Sequence, residues 1–164
     1  MSTSGIAAAQ GFVAADIGDY SSGSYSPIAF AISGGVKVAP NVAIEVGYVA
    51  PNSYTYNFGG TFYTFDQSIL KGAGVVSFPV APQIDVFGKL GLAHVRWSDV
   101  GPGWNASGSS TNLMFGFGGQ YNISRQLAVR GQYEYFGNNV GLTAGGSYVY
   151  RPTSMLSLGA VYNF

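Results

Sequence analysis

The stretch Leu127–Tyr135, LAVRGQYEY, decides the fold. Leu127, Val129, Tyr133 and Tyr135 alternate with Ala128, Arg130, Gln132 and Glu134. A period of two puts these sets on opposite faces of a β-strand. One face holds a base, an acid and an amide; the other holds no charge. In a soluble barrel the charged face would meet water. In a membrane barrel it would line the lumen, and the apolar face would meet lipid.

The same alternation recurs along the chain, and no segment keeps a 3.6-residue period. A first strand near Gln10–Gly18 sets Val13, Ala15 and Ile17 against Ala14 and Asp16. A second, Ile28–Val38, sets Phe30, Ile32 and Val36 against Ala29, Ala31, Ser33 and Lys37. A third sets Val42, Ile44, Val46 and Tyr48 against Ala43, Glu45 and Gly47. A fourth, ending at Phe78, sets Leu70 and Val76 against Lys71, Ala73 and Ser77. A fifth sets Ile84, Val86, Leu90 and Leu92 against Asp85, Phe87 and Lys89. A sixth sets Leu113, Phe115, Phe117 and Tyr121 against Met114, Gly116, Gly118 and Gln120. LAVRGQYEY is the seventh. The closing strand, Ser154–Phe164, sets Leu156, Leu158, Ala160, Tyr162 and Phe164 against Ser157, Gly159, Val161 and Asn163.

The connections alternate too. APN, VAPQ and Ile123–Arg125 are short. Pro51–Gly60, SDVGPGWNASGSST (Ser98–Thr111) and Gly137–Thr153 are long, polar and rich in turn residues. Part of the last, GGSYVY, could extend its two strands as a hairpin.

Face content separates the two readings. Charged residues make up 9% of the 164, against about 25% in soluble domains. Eight of them lie in strands, all on the less apolar face: Asp16, Lys37, Glu45, Lys71, Asp85, Lys89, Arg130 and Glu134. Four acids and four bases among Gly, Ala and Ser make a poor water-facing exterior but a sensible lumen. The other face is aliphatic at mid-strand, with Tyr48, Phe78, Tyr121, Tyr133, Tyr135, Tyr162 and Phe164 gathered toward strand ends as aromatic girdles. A lysine or arginine turned to lipid at mid-membrane costs roughly 2–4 kcal/mol, and no strand places one there. Backbone in hydrocarbon must pair with itself, so the sheet must close.

The fold class is therefore all-β: an eight-stranded antiparallel up-and-down transmembrane β-barrel with three short periplasmic turns and four long extracellular loops. The barrel domain spans 10–164. Residues 1–9 read as a disordered leader or tag remnant, in which Ala7-Ala8-Ala9 looks like the tail of a signal cleavage site.

Four stretches carry a family likeness: VAPNVAIEVGY (38–48), FPVAPQIDVFGKLGL (78–92), LAVRGQYEY (127–135) and RPTSMLSLGAVYNF (151–164). They resemble the eight-stranded outer-membrane barrel of the OmpA family, close in architecture to the OmpX type. The resemblance implies a bacterial outer-membrane location and a salt-bridge cluster inside the barrel. Glu45 and Arg130 match two of its positions. The family's basic residue on the fourth strand aligns near Val75, and its acid on the sixth strand is Gln120 here. The resemblance therefore implies a rearranged cluster, with Lys37, Lys71, Lys89 and Glu134 as available partners. It also implies that the aromatic final strand, ending at Phe164, is a tag for the barrel-insertion machinery. The chain would be either a complete small barrel or the excised domain of a larger protein.

Few residues suggest chemistry. His94 is the single histidine, and Ser98 follows it in HVRWS. Outer-membrane lipid-modifying enzymes use a neighbouring His and Ser, but parity puts His94 on the lipid face near the outer rim. One histidine and no cysteine argue against a transition-metal site. Glycine pairs such as Gly118-Gly119 open no helix and are not phosphate loops. No catalytic residue, metal or cofactor is expected. Seven basic residues balance seven acidic ones, so nothing favours nucleic acid. The expectation is a monomeric, non-enzymatic integral outer-membrane barrel with a structural envelope role and surface loops for adhesion or host contact. Its partners would be outer-membrane lipid and lipopolysaccharide. A small channel for ions or solutes is the alternative, and a lipid-modifying enzyme the second.

Overall fold

The computed structural model describes residues 10–23, 25–142 and 148–164. The leader expected over 1–9 lies outside the described residues. Nine strands follow in chain order: β1 Gly11–Ser22, β2 Ile28–Ala39, β3 Val42–Pro51, β4 Tyr54–Phe58, β5 Thr61–Ala81, β6 Ile84–Gly101, β7 Trp104–Asn122, β8 Leu127–Leu142 and β9 Tyr148–Asn163.

Eight of the nine close the ring. Each pairs antiparallel with its neighbour, β3 pairs with β5, and β1 pairs with β9 from Phe12↔Asn163 to Ser22↔Thr153. β4 is the ninth and stands outside the ring. It pairs only with the far end of β5, Tyr54↔Phe65 to Phe58↔Thr61. The polar stretch expected as a loop over Pro51–Gly60 is thus half strand.

A second expectation needs correcting. Ser98–Thr111 is not a long loop. β6 runs to Gly101, β7 starts at Trp104, and their register is unbroken to Gly101↔Trp104. Only Pro102 and Gly103 turn the chain. An extended hairpin pairs its own backbone, so the ladder begun in the membrane continues into water at little cost. β5, β6 and β7 have 21, 18 and 19 residues, where roughly 9–11 span the hydrocarbon. β8 and β9 likewise pair up to Leu142↔Tyr148. The two ends of the barrel differ in how far the strands project more than in loop length.

The aliphatic face points outward. Ile32, Val46, Leu70, Leu90, Phe117 and Leu158 are each 60–70% exposed. The seam is closed at the periplasmic edge by Gly11 and Phe164, whose N–H groups each donate to the other's carbonyl, at 3.1 and 2.9 Å. A Cβ on Gly11 would lie 2.5 Å from the Phe164 ring, so the ring rests where only glycine leaves space.

Candidate functional site

The lumen has three layers. Near the short turns, Phe12, Ala14, Ala43, Val75, Phe87, Ala128 and Val161 form an apolar ring. Above it lies a layer of charge. Above that, Tyr20, Val49, Phe65, Ile69, Val95, Met114, Phe136 and Met155 pack with alanines into a buried core.

The charged layer unites six of the eight expected residues. Arg130 donates from Nε and Nη2 to the two Asp16 oxygens at 2.9 and 2.6 Å. Its Nη1 reaches Glu45 Oε2 at 3.0 Å, and Nη2 also donates to Ser33 at 3.0 Å. Lys89 Nζ lies 2.7 Å from Glu45 and 3.3 Å from Glu134. Lys71 Nζ donates to both oxygens of Glu134, at 2.5 and 2.6 Å. Glu45 therefore sits between Lys89 and Arg130, and Glu134 between Lys71 and Lys89. All six are buried, and three acids balance three bases. Buried charges persist only when paired and hydrogen-bonded. A Cβ at Gly159 would sit 2.2 Å from Asp16 Oδ1, so that glycine makes room for the carboxylate.

Lys37 and Asp85 do not join the layer. Their parity is inward, but they stand near the short turns, where the wall opens to water. Lys37 is exposed. Asp85 is half-buried and accepts a hydrogen bond from Asn122 at 2.7 Å. Both border a vestibule of about 280 Å³ that runs past Phe12 and Phe87 to Glu45, Lys89 and Arg130. The lumen is thus open from below as far as the charges and filled above them.

Of the large residues of the upper core, the sequence alternation sets only Met114 inward. Members of that core share parity with the charges: Tyr20 with Asp16, Ile69 with Lys71, Val95 with Lys89. Its polar groups are satisfied locally. Tyr20 donates to Gln67 at 2.9 Å, and Ser22 and Thr153 share a 3.2 Å hydrogen bond. Tyr25, in the β1–β2 connection, donates to the Asn52 carbonyl. Burial, with the Asp66 carboxylate adding to it, pushes the Tyr25 phenol up to about 12. Two side chains stay unsatisfied among the described residues: the Gln132 amide and the Ser157 hydroxyl. They face each other across β8 and β9 between the Arg130 and Glu134 levels.

Of the expected girdle, Phe78, Tyr121, Tyr162 and Phe164 are exposed near the short turns, and Tyr48 is exposed at the far rim. Tyr121 is anchored by donating to Gln83 at 2.9 Å. Tyr133 and Tyr135 are half-buried, tilted against Phe117 and Phe115 at 5.6 and 5.0 Å.

His94 lies on the outward face, its Nδ1 2.8 Å from Thr111 Oγ1. Its cross-strand partners are Leu70 and Thr111, so Ser98 is not beside it.

Above the bilayer, β4–β7 carry a run of rings. Tyr54 stacks on Tyr56 at 6.3 Å, Tyr56 on Tyr63 at 5.4 Å, and Trp104 meets Tyr63 edge-on at 6.0 Å. Tyr56 donates to Asp99 at 2.7 Å.

Comparison with known proteins agrees with this architecture. The family model of the OmpA-like transmembrane domain matches residues 5–164. No curated protein sequence matches the chain. The N-terminal β-barrel domain of Pseudomonas aeruginosa OprF superposes with a TM-score of 0.67 at 13% identity, over 95% of this chain and 99% of that one. Neisserial surface protein A gives 0.63 at 17%, over 95% and 97%. Ail, the attachment invasion locus protein of Yersinia pestis, solved in complex with the heparin analogue sucrose octasulfate, gives 0.63 at 16%, over 95% and 99%. A closed ring of eight strands, a lipid-facing aliphatic belt and a match along nearly the whole chain lead to one conclusion: the protein belongs to the OmpA-like transmembrane domain family and is a β-barrel of the bacterial outer membrane.

Proposed function

We propose that the protein is a closed, non-enzymatic outer-membrane barrel that presents its projecting hairpins for contact with other surfaces. The observation that carries this reading is the filled upper lumen. Tyr20, Phe65, Ile69, Val95, Met114, Phe136 and Met155 are each at most 1% exposed. A solute that reached the charged layer from below would meet a packed apolar core above it. Steady permeation needs a wetted path, and an eight-stranded interior is just wide enough for side chains to fill.

The contact role draws on two further features. Half-exposed Tyr54 and Trp104 sit where aromatic side chains serve interfaces best, with large area and little entropy to lose. Ail carries attachment in its name, which supports a similar role here. A heparin-like ligand does not suit this chain. Its extracellular side sets Arg96 and Arg151 against Asp19, Asp66 and Asp99, which leaves no excess of positive charge.

Planar-bilayer recording tests the closed state. Wild type and Arg130→Ala should both lack steady unitary conductance, because the apolar core remains in each. A persistent conductance in wild type would make the channel reading the right one. Attachment of cells displaying the barrel tests the second part, with Tyr54→Ala/Trp104→Ala expected to lower it. Lipase and acyl-transfer assays should find no activity for His94→Ala to remove.

A further inference from the structure

The vestibule beneath the charged layer carries charge that the fold itself does not use. Lys37 and Asp85 both border it, and among the described residues neither forms an ion pair. Lys37 stands on β2 and Asp85 on β6, with β3 and β5 between them, so the two are not neighbours in the ladder. The ceiling has capacity to spare as well. A lysine carries three N–H donors and an arginine five. Lys89 uses two of its three, on Glu45 and Glu134. Arg130 uses four of its five, on Asp16, Glu45 and Ser33. One N–H of each is left, and both side chains line the vestibule. Glu45, beside them, already accepts on both oxygens.

Glycine keeps this space open. A Cβ on Gly35 would lie 2.6 Å from the Phe12 ring, and one on Gly118 would lie 2.7 Å from the Phe87 ring. Both rings therefore fold back against the wall, where larger residues would push them into the lumen. What remains is a cavity of about 280 Å³ with apolar sides, a charged ceiling and Asp85 nearer its mouth. At roughly 30 Å³ for each water-sized group, it holds about nine such groups.

We propose that the vestibule binds a small zwitterion of dipeptide size from the periplasm. Its carboxylate takes the spare N–H groups of Arg130 and Lys89, its ammonium takes Asp85, and its apolar body lies along Phe12 and Phe87. Gln120 and Ser77 line the wall as well and suit a peptide group. Charge and length select this ligand. The eight charges that line the lumen from the layer to the mouth are four acids and four bases. A ligand with a net charge would unbalance them in a confined space, whereas a dipolar one does not. Asp85 and Lys89 lie four residues apart on β6, roughly 13 Å along the strand. Poles separated by one carbon, as in a single amino acid, do not reach both, and the poles of a dipeptide stand farther apart. Lys37, exposed at the mouth, draws the carboxylate end in first.

Backbone-amide NMR of the full chain, labelled with nitrogen-15, held in phospholipid nanodiscs and titrated with L-alanyl-L-alanine, tests the proposal. Wild type should show saturable shifts at Ala43, Phe87 and Val161, which line the vestibule, and none at Tyr54 or Trp104 on the extracellular side. Asp85→Asn, which keeps an acceptor for Asn122, should bind roughly fivefold more weakly. The N-acetylated and the C-amidated dipeptide each lack one pole and should lose at least as much. Arg125→Gln, in the third short turn and outside the vestibule lining, should match wild type. Wild type without saturable shifts at the vestibule overturns the site. Asp85→Asn binding as tightly as wild type overturns the ammonium contact, and blocked dipeptides binding equally well overturn the need for a zwitterion. The mobility difference between unboiled and boiled samples in SDS gels shows that each variant is folded.

Discussion

The charged layer of the lumen and the core above it are built by the same strands and the same parity, yet one is ionic and the other largely apolar. β1 supplies Asp16 below and Tyr20 above. β5 supplies Lys71 below, then Ile69 and Phe65 above. β6 supplies Lys89 and then Val95, and β8 supplies Glu134 and then Phe136. The change takes two to six residues on each strand. Inside a barrel, alternation fixes which way a side chain points, and only its depth decides what it must satisfy. Beside the periplasmic vestibule, charge can be neutralised by charge. Farther up, close-packed rings and methionines fill the space.

The largest way to break this comparison is to remove one charge. Arg130→Ala strands Asp16 and takes a partner from Glu45, and an unpaired buried charge costs about 3–5 kcal/mol. Urea unfolding in detergent or lipid should register that loss. Asp16→Ala/Arg130→Ala should lose less than the two single losses added together, as coupled partners do. Full additivity would mean that the lower half is not held by pairing.

The upper half should fail by a different mechanism. Met155→Ala leaves a cavity and should cost about 2–4 kcal/mol, with no recovery from adding charge elsewhere. If Met155→Ala unfolded at the wild-type urea concentration, the upper half would not be a packed core.

Within the charged layer lies the Gln132–Ser157 pair. Burying an amide without partners costs about 1–3 kcal/mol, so Gln132→Leu should leave stability equal to wild type or raise it by about 1 kcal/mol. A clear loss would show that the amide is satisfied within the lumen. The smallest effect belongs outside both halves: Lys37→Ala, at the vestibule rim, should change stability by under about 0.5 kcal/mol.

The ring itself was legible. Parity along LAVRGQYEY and its counterparts placed the lipid and lumen faces correctly on all eight barrel strands, because lipid imposes a strong and uniform demand on one face. Depth was not. Lys37 and Asp85 have the parity of the six clustered charges but lie too near the turns to be buried with them. Most of the bulky inward residues carry no separate signal, because an apolar side chain reads the same in the alternation whether it meets lipid or a packed lumen. The projecting hairpins were hidden for a related reason. Above the bilayer neither face of β6 or β7 meets hydrocarbon, so Ser98–Thr111 shows no apolar alternation, although hydroxyl residues serve a β-ladder well. Pro102-Gly103 marked a turn, but not how short it was.

The blind vestibule also decides whose chemistry the charged layer experiences. In the closed barrel proposed above, salt or acid added outside the cell meets a plug of tyrosine, phenylalanine and methionine, and the ion pairs beneath stay shielded from it. Ions on the inner side of the membrane have a passage to Glu45, Lys89 and Arg130. The barrel is insulated at one end and coupled at the other. Its internal electrostatics answer to the periplasm, however harsh the medium beyond.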